Sequence, residues 1–276
     1  MNDYAGRLRS YPISSAASSG QLLIDAPTAT ASATSRRRNS RWPARLDLLQ
    51  SASGLFLALF LIAHMFFVST ILISQEAFYS VARFFEGAWL LGKPYPIIVS
   101  AVAGGILAVF IAHAWLAMRK FPGGYRQYSA FIRHKKNLHH DDTSLWWLQV
   151  WTGFALFFMA TIHLYDMLTQ SALIGPFESA DRVWTGNMWP LYLALLFAAE
   201  LHAGAGLYRL AIKWGWFADL GRRRLRWARH GLSAFFITLG LVTLMAYIEL
   251  GREHADRAGE RYVPAQQHAV PAAGGH

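Results

Sequence analysis

Five long apolar runs alternate with polar segments between residues 41 and 250. They cover about Leu48–Ser74, Ile97–Met118, Leu145–Met167, Met188–Ala211 and Leu232–Leu250. A bilayer core demands roughly 20 apolar residues of a spanning helix, and each run is about that long. The apolar residues are clustered and do not recur on one stripe, as in a helix apolar all round. The pattern predicts an all-α integral membrane bundle of five transmembrane helices over 41–250. Pro96 and Pro190 fit helix first turns, where a missing N–H is harmless. Gly104-Gly105 and Ala203-Gly204-Ala205-Gly206 let a neighbouring helix or a flat cofactor approach closely. Ordinary helix packing explains these small residues equally well.

Charge is sorted between the runs. Arg36, Arg37, Arg38, Arg41 and Arg45 precede the first run. Arg119, Lys120, Arg126, Arg133, Lys135 and Lys136 follow the second, and Lys213, Arg222, Arg223, Arg224, Arg226 and Arg229 follow the fourth. The other two connections hold only Arg83 and Lys93, and Arg182. Positive residues stay inside, so the N-terminus is expected in the cytoplasm and the C-terminus outside, with the chain crossing the membrane five times. Topology therefore accounts for the net charge of +10, and no nucleic-acid partner is expected. The 11 tryptophans sit largely near run ends, as interfacial anchors do. The absence of cysteine excludes Cys-ligated iron–sulfur clusters, thioether-attached haem and disulfides within this chain. Residues 1–40, with IDAPTATASATSRRRNS, read as a disordered cytoplasmic tail. They lack the apolar core of a secretory signal, and their Arg and Ser content also resembles a transit peptide. Residues 251–276 read as a polar tail with no assigned role.

Candidate chemistry lies inside the runs. His64, His113, His163 and His202 fall one to each of the first four, and Glu200 shares the fourth. Ionisable groups at membrane depth are costly and mark function by default. At 1.5 Å per residue, His64 and His163 lie about 5–10 Å above the midplane, and His113 and His202 up to about 8 Å below it. Two layers of two imidazoles are what two stacked bis-histidine haems b need, and two such centres could carry electrons across the membrane. A single membrane histidine is more often a polar contact or a proton relay; four in two layers are harder to explain that way. The remaining seven, His134, His139, His140, His230, His254, His268 and His276, read as solvated groups.

Longer blocks carry a family resemblance. SRWPARLDLLQSASGLFLALFLIAHMFFVSTIL, VFIAHAWLAMRKFP, YRQY, DTSLWW, TGFALFFMATIHLYDM and WPLYLALLFAAELHAGAGLYRLAIKWGW occur in this order between Ser40 and Leu250. The chain thereby resembles the dihaem cytochrome b membrane subunit of succinate:quinone oxidoreductases, most closely the epsilon-proteobacterial fumarate reductase type. The resemblance implies five helices enclosing two haems b. It places His113 and His202 on the haem proximal to the soluble subunits, and His64 and His163 on the distal one. It implies a flavoprotein partner with the dicarboxylate site, an iron–sulfur partner, exchange with a membrane quinone such as menaquinone near the distal haem, and a dimer of heterotrimers. It matches Glu86 to the acidic residue of the quinol site, where a base must accept protons, and Glu200 to an intramembrane proton-carrying glutamate. Gln50, Ser51, Trp146 and Lys213 become partners of proximal haem propionates, and Arg182 of a distal one. Without the resemblance, Glu86 reads as a solvated loop residue, Glu200 as a structural carboxylate, and the propionate partners as interface anchors. Two rival readings stay open. One is the dihaem anchor of another respiratory dehydrogenase. The other is a haem-free transporter using buried His and Glu as a proton relay.

Overall fold

The computed structural model describes residues 41–121, 124, 126, 129 and 141–264, with side chains in the last stretch from residue 144 onward. The N-terminal tail to residue 40, most of the second connection with Arg133, Lys135, Lys136, His134, His139 and His140, and residues 265–276 with His268 and His276 lie outside the described residues.

Five helices are long and apolar enough to cross a membrane. They are α1 (Trp42–Val68), α4 (Pro96–Met118), α5 (Asp141–Thr169), α7 (Trp189–Trp214) and α8 (Gly221–Glu253), and the described residues contain no strand. Even α4, with 23 residues, reaches about 35 Å at 1.5 Å per residue, against a hydrocarbon core of roughly 30 Å. Large apolar side chains such as Phe56, Leu59, Ile111, Phe158 and Met245 remain exposed around the bundle, as lipid-facing groups must. The helices outrun the apolar runs. Thus α8 starts eleven residues before Leu232, because its arginine-rich first turns are strong helix formers lying beyond the apolar zone.

Short helices occupy the connections at one end. Helix α2 (Gln75–Phe85) is capped by Ser74, whose Oγ accepts from the Ala77 N–H at 3.0 Å. It leads through Gly87, in the left-handed region at φ 81°, into α3 (Ala88–Leu91). Helix α6 (Pro176–Val183) lies between α5 and α7. These three helices and the C-terminal segment make a capped end. The starts of α1, α5 and α8 and the ends of α4 and α7 make the opposite, basic end.

Packing runs α1–α4–α5–α7–α8, with α1 returning to α7 and α8. Polar ties are few and specific, as expected where no hydrophobic force drives helices together. Ser69 and Thr243 hydroxyls meet at 2.8 Å, Tyr247 donates to the Val68 carbonyl at 3.2 Å, and Ser100 bonds the Leu168 carbonyl and the Ser171 hydroxyl at 2.9 and 2.7 Å. At the basic end Asp47 gathers Arg119 and Lys120, each at 2.9 Å, and Lys213 at 3.5 Å, pinning three helix ends together.

The C-terminal segment, expected as a polar tail with no assigned role, packs against the bundle over residues 251–264. Helix α8 continues through Gly251 to Glu253, and the chain then folds back over α2 and α6. His254, expected to be solvated, is 1% exposed. Its Nδ1 lies 2.9 Å from Asp181 Oδ1, and its ring stacks on Phe177 at 4.3 Å. Composition could not show this, because the partner that makes burial tolerable is 73 residues away.

Candidate functional site

A cavity of about 1340 Å³ runs through the bundle between α1, α4, α5 and α7. Ten of the residues expected to matter line it: Gln50, Ser51, His64, His113, Trp146, His163, Arg182, Glu200, His202 and Lys213. The eleventh, Glu86, is not among its lining residues.

The histidines come in two facing pairs. His113 and His202 have ring centroids 6.5 Å apart toward the basic end, and His64 and His163 have theirs 6.0 Å apart toward the capped end. Metal–imidazole bonds of roughly 2.0 Å on either side of one ion separate two ring centroids by about 6 Å, so either pair could hold one metal ion between its rings. Among the described residues no group of three or more metal-ligating side chains converges. The arrangement therefore suits an ion whose other ligands come from a cofactor.

Second-layer contacts fix the first pair. The His202 Nδ1 lies 2.9 Å from the Gln149 carbonyl and 3.2 Å from Thr152 Oγ1. A carbonyl only accepts, so Nδ1 carries the proton and Nε2 is left as the ligand atom. The His113 Nδ1 lies 3.0 Å from Ser53 Oγ. At the other pair, His64 stacks on Phe60 and His163 meets Tyr192 edge-on. The His163 Nδ1 is buried without a hydrogen-bond partner among the described residues.

Two glycines face the first pair. A Cβ on Gly54 would stand 2.8 Å from His113 Cε1, and one on Gly153 would stand 3.1 Å from His202 Cε1. Each glycine also marks depth. His64 lies ten residues beyond Gly54 on α1, and His163 ten beyond Gly153 on α5. Ten residues rise about 15 Å, so both helices give the same separation of the two layers. The sequence does carry this signal, as Ser53-Gly54 and Thr152-Gly153, each a hydroxyl residue and a glycine ten positions before a histidine. It escapes a reading that treats one helix at a time.

Polar groups converge at both mouths. Lys213 donates to Ser51 Oγ at 3.2 Å, and Gln50 Oε1 is buried without a hydrogen-bond partner among the described residues. Arg182 is held by Asp166 at 2.7 Å and by the Leu173 carbonyl at 2.9 Å, and still lines the cavity. Asp166 and Tyr192 were not singled out in the sequence. Their helical spacing from His163 and the start of α7 was the available clue. Glu200, 5% exposed, lies in the wall between the layers, two residues before His202.

Glu86 ends α2 and is fully buried, contrary to a solvated loop position. Arg83 Nη1 pairs with its Oε2 at 2.6 Å, while Arg83 Nη2 donates to the Ile174 carbonyl at 2.8 Å. Burial pushes the carboxyl up from its ordinary pKa; Arg83 and Arg261 oppose that shift, and Glu178 adds to it. The carboxyl has no exposed surface, and Phe78, Ala82 and Phe85 of the same helix line the cavity.

Fold and site together define a multi-pass α-helical membrane protein with paired intramembrane histidines around one apolar cavity. Residues 126–244 match the family described as succinate dehydrogenase/fumarate reductase transmembrane subunit. The chain is 55% identical over 234 residues to the fumarate reductase cytochrome b subunit of Helicobacter pylori strain J99, covering 84% of this chain and 89% of that protein. It is 53% identical over 227 residues to the fumarate reductase cytochrome b subunit of Wolinella succinogenes, covering 81% and 89%. The chain belongs to this family of fumarate reductase cytochrome b subunits, membrane subunits of an enzyme complex.

Proposed function

We propose that the chain is the membrane anchor and electron-transfer subunit of a quinol:fumarate reductase or succinate:quinone oxidoreductase, holding two haems b. The observation that carries this reading is the pair of facing histidine couples, at 6.5 and 6.0 Å, in layers about 15 Å apart. His113 and His202 would hold the haem nearer the basic end, and His64 and His163 the one nearer the capped end. Bound there, each haem supplies a reversible one-electron couple at its own depth. Gly54 and Gly153 leave room for a flat ring, and Ser53, Thr152 and Gln149 aim the first pair. Gln50, Ser51, Trp146 and Lys213 are placed for one set of propionates and Arg182 for the other.

The positive-inside rule puts the basic end in the cytoplasm, where an iron–sulfur subunit and the flavoprotein with the dicarboxylate site would dock. The N-terminus is then cytoplasmic, the C-terminus periplasmic and the bilayer the inner membrane, with the three-subunit unit assembling as a dimer. A membrane quinone, menaquinone by the resemblance, would react at the capped end, where Glu86 accepts the proton that leaves with each electron. Glu200, between the layers, is placed to carry protons within the membrane.

The test is a haem-to-chain ratio on the purified complex, followed by fumarate addition to the reduced protein. Two haems b per chain, both reoxidised by fumarate, are expected. A colourless chain after haem-supplemented expression would overturn the reading, and haems indifferent to fumarate would move the subunit to another dehydrogenase.

A further inference from the structure

A second groove, of about 990 Å³, lies outside the central cavity, between α5, α7 and α8 on the flank of the basic end. Its inner wall is apolar, with Leu145 and Leu148 from α5 and Leu201 from α7. Its rim is cationic: Arg223, Arg226 and Arg229 of α8 line it, beside His230. Steps of three residues hold these arginines on one side of the helix. Arg222 and Arg224, from the same basic run, do not line the groove. The charge is therefore sorted by face and does not simply coat the helix start.

Depth and chemistry point to one kind of ligand. The last of the three arginines precedes the apolar run at Leu232 by three residues, which is headgroup level for a spanning helix. Trp227, 68% exposed, projects from the same turn, where interfacial tryptophans sit. Arg229 lies 6.0 Å over the Tyr208 ring; its Nη2 meets the His230 ring at 2.8 Å, and its Nε is buried without a hydrogen-bond partner among the described residues. Guanidinium groups in this setting prefer phosphate oxygens. Apolar walls below a cationic rim match a molecule with acyl chains below an anionic headgroup, and basic pockets between membrane helices on the cytoplasmic side are typical anionic-lipid sites.

We infer that the groove between α5, α7 and α8 binds one anionic glycerophospholipid, its phosphate on Arg223, Arg226 and Arg229 and an acyl chain along Leu145, Leu148 and Leu201. This inference is independent of the haem and quinone assignments.

The experiment uses the complete detergent-purified complex and two charge-matched variants, R223Q/R226Q and R222Q/R224Q. Lipids retained per chain are classed and quantified by mass spectrometry, and cardiolipin is then titrated back onto delipidated protein, with phosphatidylethanolamine as the comparison. Wild type and R222Q/R224Q are expected to retain and rebind cardiolipin alike. R223Q/R226Q should lose affinity by roughly fivefold for each arginine removed, while R223K/R226K stays near wild type. If R223Q/R226Q fails to assemble, the wild-type preference for cardiolipin and the lysine variant decide the matter. Equal loss in both glutamine variants, or no preference over phosphatidylethanolamine, would overturn the site. Loss of the soluble subunits from R223Q/R226Q with lipid retention unchanged would overturn it too, and assign the groove to a protein partner.

Discussion

Gly54 of α1 faces His113 of α4 so closely that a Cβ would stand 2.8 Å from the imidazole Cε1. Real Cβ contacts are essentially never that short, so the ring must move for any side chain to fit. Gly54→Val should therefore displace His113 and remove the haem of that layer while sparing the other. The haem-to-chain ratio is expected to fall from two to one, with a single component left in the redox titration. Gly153→Ala, at 3.1 Å from His202, should do the same more weakly. Full haem content in Gly54→Val would show that the glycine is ordinary packing.

The pairing itself predicts which losses go together. His64→Ala and His163→Ala should give the same spectrum, missing the same haem, because their rings face each other at 6.0 Å. His113→Ala and His202→Ala should share the complementary spectrum. The layers are about 15 Å apart along the helices, so the remaining haem should keep its occupancy in each variant. A spectrum shared by His64→Ala and His113→Ala would break the assignment of partners.

Reading the chain residue by residue gave the five spans, their alternation and the two histidine layers, because each rests on signals local to one segment. Apolar length marks a span, and counting residues along it marks a depth. What stayed hidden depends on two segments at once. Gly54 and Gly153 matter only opposite histidines on other helices. Glu86 looks like a loop residue until the end of α2 buries it beside Arg83. His254 looks like tail composition until Asp181 and Phe177 of α6 appear beside it. The short helices α2, α3 and α6 leave little trace in the sequence, because their few turns lie between much longer apolar runs.

Glu86 and Arg83 should govern the pH dependence of quinol oxidation. A carboxylate accepts a proton only when deprotonated, so activity should rise as pH climbs through the Glu86 pKa. Burial holds that pKa above the ordinary carboxylate value, so the acid limb should lie at higher pH than a free glutamate gives. Arg83, paired with Glu86 at 2.6 Å, pulls in the opposite sense. Arg83→Gln should therefore shift the acid limb further toward alkaline pH, and Arg83→Lys should restore much of its position. Glu86→Gln should abolish quinol oxidation with both haems retained. Full activity in Glu86→Gln would remove the residue from the mechanism; an unmoved acid limb in Arg83→Gln would leave Arg83 a purely structural partner.

The C-terminal segment should behave as a strap over the same end of the bundle. Asp181 holds it twice: Oδ1 lies 2.9 Å from His254 Nδ1, and Oδ2 accepts from the Gly259 N–H at 2.8 Å. Tyr262 holds it a third time, donating to Glu76 at 2.7 Å. Burial and that carboxylate push the phenol up to about 12, so it remains a donor throughout the physiological range. Asp181→Ala removes two of the three ties and leaves the His254 imidazole buried without its partner, which typically costs about 1–3 kcal/mol. Opening of the strap should become about 5- to 150-fold more frequent, by the same energy range. Trypsin, added from the outer face, should then cut after Arg257 and Arg261 faster than in wild type, while Tyr262→Phe, losing one tie, cuts at an intermediate rate. The haem spectrum should be unchanged in both, because the strap contacts α2 and α6 and touches no histidine of either layer. Wild-type cleavage rates in Asp181→Ala would mean that the segment is held by its aromatic contacts with Phe177 and Tyr79 and that the His254–Asp181 hydrogen bond contributes nothing to closure.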